Sequence, residues 1–300
     1  SLKSPATVGS NVAWTLPGTD GSANQYLKTN GAGVLSWGND SVTPGAGSIT
    51  AAMISSGLQL GTIDAQQNTL LGSTAGDSFT GTDAENNTLI GYASGTAITT
   101  GDNNTAIGRY SLRTCTTGSR NTALGRSALD QNLTGNANTA IGYNALYNNT
   151  ANHNVAIGNL AASGTTTGDN NVAIGMNSLV TSTTGAYNIA IGSAALRDST
   201  TAANNVAVGY LALLNNTTGT QNIGIGTYAL DANTTANENT AIGYNVASSN
   251  TTGATNSAIG HNSFDANTTG SYNVGLGAQS LTSNTTADSN TAIGSFSLRD

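Results

Sequence analysis

Charge is scarce in this sequence. Asp, Glu, Lys and Arg together make up 8% of its 300 residues, where an ordinary soluble domain carries about 25%. Only eight residues are Lys or Arg, scattered without a basic cluster that would read as a binding tract, and the net charge is −7. Nucleic-acid binding rests on phosphate neutralisation, so this balance argues against it and against anionic membrane surfaces. No apolar run approaches the ~18 residues of a transmembrane helix, and none resembles a signal-peptide core. The start, Ser1-Leu2-Lys3, reads as a processed or trimmed end.

One cysteine, Cys115, excludes a disulfide framework and a cysteine-based zinc site. It occupies a place where other repeats carry Asn, Ser or Thr, so a surface or turn position is expected. Proline is rare at 3 residues and glycine abundant at 38. Low charge with much Gly, Asn and Thr suits a disordered tract. Periodicity rejects that reading, because a disordered tract has no reason to return an Ile-Gly pair at fixed spacing.

The pattern Asn-x-small-aliphatic-Gly begins at Asn68, Asn87, Asn104, Asn121, Asn138, Asn154, Asn171, Asn188, Asn205, Asn222, Asn239, Asn256, Asn273 and Asn290. The steps are 19, then 17 three times, then 16, then 17 eight times. A 17-residue unit is too short for the helix pairs of ankyrin, tetratricopeptide or HEAT repeats, and it lacks the leucine ladder of leucine-rich repeats. Runs such as Thr105-Ala-Ile107 and Val155-Ala-Ile157 are short extended segments with alternating faces. Asn at the start of each run suits a corner. The Thr-Thr-Gly segments, shortened to Thr150-Ala151 in the 16-residue unit, suit a second corner.

The expected fold is all-β: a parallel β-solenoid or β-roll of 14 coils with a 17-residue repeat, two short strands per coil, and like residues stacked on like. At ~4.8 Å per coil, thirteen steps span about 60 Å. The core is expected to be an Ile/Leu pair, with Leu four residues after the motif Gly in nine units. Ala or Gly at the third motif position (Ala106, Ala140, Ala173, Gly224, Gly275) leaves a smooth opposite face. A core that thin favours a homotrimer with the Ala ladders near its axis.

Outside the array, residues 1–37 form a small attachment segment. In it, Gln25-Tyr-Leu-Lys-Thr29 and Val34-Leu-Ser-Trp37 read as a β-hairpin, with Trp14, Tyr26 and Trp37 as a local core. Residues 38–67 read as a Gly/Ser-rich linker or neck, and residues 68–300 as the array. The chain stops midway through a coil, so it is expected to continue or dock beyond 300.

Chemistry-bearing motifs are missing. His153 and His261 are lone and far apart. Acidic residues such as Asp102, Asp169, Asp231, Asp265 and Asp288 are dispersed, where paired catalytic carboxylates need a converging cleft. Gly224-Ile-Gly226 is followed by no helix, so the dinucleotide fingerprint fails, and no nucleophile elbow occurs. No catalytic, cofactor-binding or metal-ligating residue is expected, and no cofactor. Sequons such as Asn216-Thr217-Thr218 matter only on a eukaryotic secretory route.

Asn-Thr-Ala-Ile-Gly-Tyr-Asn-Ala-Leu at 138–146 and Asn-Thr-Thr-Gly-Ser-Tyr-Asn at 267–273 resemble the repeats of phage tail-fibre proteins, many of which end in an endosialidase-type chaperone. The Asn-x-Ala-Ile-Gly core is also similar to the YadA-like head of trimeric autotransporter adhesins, a parallel β-roll built as a trimer. Residues 14–37 look like segments common in tail-fibre proteins. No chaperone domain, coiled-coil stalk or membrane anchor occurs within these 300 residues. The resemblance implies a homotrimer in a virion or extracellular setting. It also implies a tail or baseplate protein bound at one end, and contact with a host-surface receptor. The leading expectation is the structural shaft of a tail fibre or spike, with no nucleic acid and no membrane insertion. A cell-surface adhesin head is the alternative, and an ice-binding solenoid, suggested by recurrent Thr, is remote.

Overall fold

A computed structural model describes residues 15–19, 25–29, 34–39, 66–79 and 83–299. The chain divides into two units, residues 1–56 and 57–300. In the first, β1 (Gln25–Thr29) pairs antiparallel with β2 (Leu35–Asn39), as the hairpin pattern predicts. Thr15 bridges Val34, and the half-buried Trp37 donates its indole N–H to the Thr19 carbonyl at 2.8 Å. Gly38 and Asn39, expected in the linker, complete β2. Trp14, the side chain of Tyr26 and linker residues 40–65 lie outside the described residues.

The second unit is the solenoid. Fourteen three-residue strands, β3 (Thr69–Leu71) to β16 (Thr291–Ile293), form one parallel sheet in sequence order. There are thirteen closed turns and the start of a fourteenth. Each coil carries one strand rather than two. The rest is a chain of turns, joined to neighbouring coils by backbone hydrogen bonds such as Leu112 N–H to Ala128 O (2.9 Å) and Thr116 N–H to Leu133 O (2.9 Å). Register sets each motif position on its equivalent in the next coil: Ile189 pairs with Val206, Ala190 with Ala207 and Ile191 with Val208.

The expected core faces are inverted. The middle strand residue points inward, and Ala106, Ala140, Ala173, Ala190 and Ala207 are fully buried. The flanking Thr, Val and Ile point out. A three-residue strand on a narrow roll gives its interior one side chain, and the space there admits Ala opposite Leu. The Leu four residues after the motif Gly (Leu112, Leu146, Leu179, Leu213) is also fully buried. The two inward positions trade volume. In the early coils Leu89 replaces Ala in the strand and Gly95 replaces the opposing Leu; a Cβ on Gly95 would lie 2.7 Å from a Leu89 methyl. The Ala ladder therefore lines the inside of each chain and does not form an external face for a trimer axis.

The buried Asn ladder holds the coils in register. Each motif Asn accepts the backbone N–H of the next motif Asn on its Oδ1, as Asn121 N–H to Asn104 Oδ1 (2.9 Å). Its Nδ2 donates to the closing corner, as Asn104 to the Gly118 carbonyl (2.8 Å). Such Oδ1 bonds run unbroken from Asn68 to Asn290. Buried amides satisfied at every step suit a roll too thin to seal its backbone with apolar side chains.

The motif Asn at this corner does not itself adopt left-handed backbone. The residue before it does (Asn103 at φ 58°, Arg120 at φ 61°), and so does the core Leu (Leu112 at φ 50°). Left-handed non-Gly residues are costly, so the inter-coil ladder overrides local preference here. The motif Gly has a firmer reason for its identity. Gly108 sits at φ 138°, and a Cβ there would come 2.5 Å from the Gly125 carbonyl oxygen.

Length irregularities are absorbed at corners. In the 16-residue unit the strands stay paired, Ala140 with Ala156. The corner contracts, so Asn149 Nδ2 reaches the Ala151 carbonyl, two residues on, where Asn132 reaches Gly135, three on. In the 19-residue unit Asn68 Nδ2 still bonds the carbonyl of the closing corner, here Ala84, sixteen residues on where Asn104 reaches Gly118, fourteen on.

Cys115 corrects another expectation: it is fully buried in the core cluster, not at the surface. Its rank inside the roll is held elsewhere by Ile98, Asn132, Asn149, Thr165, Ser182, Ser199 and Asn216, all fully buried. From Asn216 onward this rank forms a second amide ladder, with Asn233 Nδ2 donating to Asn216 Oδ1 (2.8 Å) and Asn267 Nδ2 to Asn250 Oδ1 (2.7 Å).

Candidate functional site

Strand alternation and the sharp turn at the motif Gly create two exposed ranks. The first is the outer strand face. Because Ala turns inward, the β-branched residues turn outward: Ile189 is 38% and Ile223 36% exposed, with Ile157, Ile191, Ile225 and Ile259 alongside. Val155, Val172, Val206 and Val274 share this face at intermediate exposure. Parallel in-register pairing stacks the third strand residues into one aliphatic column that runs the length of the sheet, from Leu71 to Ile293, while the first-position column is aliphatic from Val155 to Ile223 and at Val274 and carries Thr or Ser elsewhere. An exposed apolar face this continuous is uncommon on a lone chain.

The second rank begins one residue after the motif Gly, where the chain leaves the strand. Tyr92, Arg109, Arg126 and Tyr143 occupy it in consecutive coils, and Tyr210, Tyr244 and His261 occupy it later. Tyr110 and Tyr228 reach the same edge from the next, left-handed position. Tyr210, Tyr228 and Tyr244 meet edge to face, with centroids 5.7 and 6.2 Å apart. His261 stacks on Tyr244 at 5.5 Å and 11°.

Around Arg109 the rank becomes cationic. Its guanidinium lies 4.6 Å from the Tyr110 ring centroid and 5.6 Å from that of Tyr92. Arg113 lies 4.8 Å from Tyr110, and Arg126 5.6 Å from Tyr143. Arg109 donates to the Tyr110 hydroxyl at 3.0 Å, which holds that phenol below its ordinary pKa. Arg113 is neutralised by Asp130 at 2.9 Å. Burial pushes the Asp130 carboxyl above the usual carboxylate value, and Arg113 only partly offsets this.

The residues considered for chemistry are not brought together. His153 and His261 are exposed, on different coils. Asp102, Asp169 and Asp288 serve structure: each accepts a backbone N–H from the coil before it, from Glu85 (2.8 Å), Asn152 (2.7 Å) and Ser271 (2.7 Å). Asp231 and Asp265 are partly buried, and desolvation raises both carboxyls. Burial pushes the Cys115 thiol up to about 11. Among the described residues no group of three His, Cys, Asp or Glu is placed to hold a metal ion, and no helix is long and apolar enough to cross a membrane.

The paired threonines divide their work. The first hydroxyl of a pair donates to the next coil's backbone, as Thr200 to the Thr217 carbonyl (3.0 Å). The second, such as Thr201 or Thr218, forms a single exposed rank.

No described protein family, curated protein or solved structure matches the chain.

Proposed function

We propose that this chain is the structural shaft of a viral (phage) tail fibre or spike, assembled as a homotrimer and projecting host-recognition elements. The observation that carries this reading is the unbroken outward column of Ile, Leu and Val at the third strand position, from Leu71 to Ile293. Covering such a column is favourable by about 25 cal/mol per Å² of apolar surface buried. Three chains side by side bury it with like residues at each level. This moves the contact from the Ala ladders, which are internal, to the outer strand face. The resemblance of the Asn-x-Ala-Ile-Gly repeats to tail-fibre and adhesin-head repeats supports the same assembly. The role is non-catalytic and extracellular or virion-borne, with one end of the rod joined to a tail or baseplate protein.

The exposed Tyr rank along the flank favours a second reading, a trimeric cell-surface adhesin head that binds through its sides. Mass spectrometry of purified particles separates the two. The shaft reading expects the protein in the virion; its absence from particles, with recovery in a cell-envelope fraction, supports the adhesin.

A further inference from the structure

The flank of the roll between Tyr92 and Tyr143 differs from the rest of the surface. Four of the chain's eight cationic residues fall between positions 109 and 126, in a molecule of net charge −7. Arg109 and Arg126 stand in the exposed rank after the motif Gly. Among the described residues, neither has a carboxylate within salt-bridge reach. Both guanidinium groups are held over tyrosine rings by the cation–π contacts given above, so their long side chains are partly ordered before any ligand arrives. Tyr92 and Tyr143, 50% and 43% exposed, bracket them.

We infer that this flank, formed by Tyr92, Arg109, Tyr110, Arg126 and Tyr143, is a binding site for a carboxylate-bearing glycan. A guanidinium presents a fork of donors that matches a carboxylate bidentately. A tyrosine presents an apolar ring with a polar tip, suited to a sugar's C–H face and its hydroxyls. The coil step of ~4.8 Å is comparable to the length of a pyranose unit, so successive sugars along a linear chain meet successive coils. Nucleic acid is disfavoured, because two free guanidinium groups neutralise too few phosphates on an acidic protein. A second copy of this chain is disfavoured too, because in-register side-by-side association sets Arg109 and Arg126 against their own equivalents.

The inference stands apart from the shaft reading, since the flank serves a fibre or an adhesin equally. The test uses the full chain on an array of uronate- and sialate-bearing oligosaccharides, each beside its neutral methyl-ester counterpart. Binding to acidic members and not to their esters is expected, weakening with salt. Arg109→Gln with Arg126→Gln is expected to weaken binding at least about tenfold. Arg197→Gln, on a distant coil, leaves it unchanged. Arg109→Lys with Arg126→Lys keeps the charge but loses the fork, and is expected to bind more weakly than the parent. Circular dichroism checks that all variants keep the roll, and the Lys pair decides if the Gln pair does not. No binding to any acidic member, equal binding to the esters, or equal loss in Arg197→Gln overturns the inference. So does protection of Arg109 and Arg126 from arginine-modifying reagents in the ligand-free protein, which would place the flank inside an interface.

Discussion

Asn188→Ala tests whether the amide ladder, rather than apolar burial, holds the coils together. Asn188 Oδ1 accepts the backbone N–H of Asn205 at 3.1 Å and its Nδ2 at 3.2 Å. Its own Nδ2 donates to Asn171 Oδ1 at 3.2 Å and to the Ala202 carbonyl at 2.8 Å. A typical hydrogen bond contributes about 1 kcal/mol net, and each buried group left without a partner adds roughly 1–3 kcal/mol. Truncation removes four bonds and strands the Asn205 amide and the Ala202 carbonyl, so a loss of about 6–10 kcal/mol is expected. Denaturant titration at fixed protein concentration measures it, with Asn159→Ala, an exposed residue, as a control expected within about 0.5 kcal/mol of the parent. Because each coil touches only its neighbours, hydrogen exchange should show the added opening concentrated in coils 171–222. A loss under about 1 kcal/mol, or one equal to the control, would refute the ladder argument.

Three other outcomes follow from buried polar groups. Ser199, whose buried hydroxyl lacks a hydrogen-bond partner, stands one coil before the second amide ladder begins; Ser199→Asn extends the arrangement seen at Asn233 and Ala236 and should stabilise by about 1 kcal/mol in the same titration. Cys115, buried with its thiol pushed up to about 11, should resist disulfide reagents at neutral pH until the roll is unfolded; rapid native labelling contradicts its placement. Asp231 carries a carboxyl raised by desolvation. The folded state therefore binds that proton more tightly, and stability rises as pH falls through the raised value toward the ordinary one, then is lost again as pH rises. Asp231→Asn should be more stable than the parent at neutral pH, with the gap closing in acid; an Asn variant less stable at neutral pH contradicts this.

Much of the fold is legible in the sequence because the ladder demands identity at each step. Asn, Ile-Gly and Thr-Thr recur at one spacing, and in-register parallel pairing is the arrangement that stacks them. Orientation is less legible. Ile107 and Ile191 look like core residues by size, and Ala106 and Ala190 look like surface ones. The order reverses because the roll is narrow and Leu112 or Leu196 already fills it. No residue preference places Leu112 or Leu129 in left-handed backbone. Only the hydrogen bonds to adjacent coils do so, and they are non-local. Cys115 misleads for a related reason: its Asn, Ser and Thr counterparts look like surface residues, yet that rank is an internal polar ladder. The Tyr and Arg rank matches no motif of known chemistry, yet its signal is in the sequence: the residue following the motif Gly is Tyr, Arg or His in seven of the fourteen coils.

The outward aliphatic column makes self-association the central claim, and mass in solution tests it most directly. Sedimentation equilibrium of the full chain at micromolar concentration should give three times the 29.8 kDa of one chain. Ile191→Asp with Ile225→Asp, which charges the outer column without touching the interior, should return the single-chain mass with the β signal retained. A parent protein that sediments at 29.8 kDa would contradict the account.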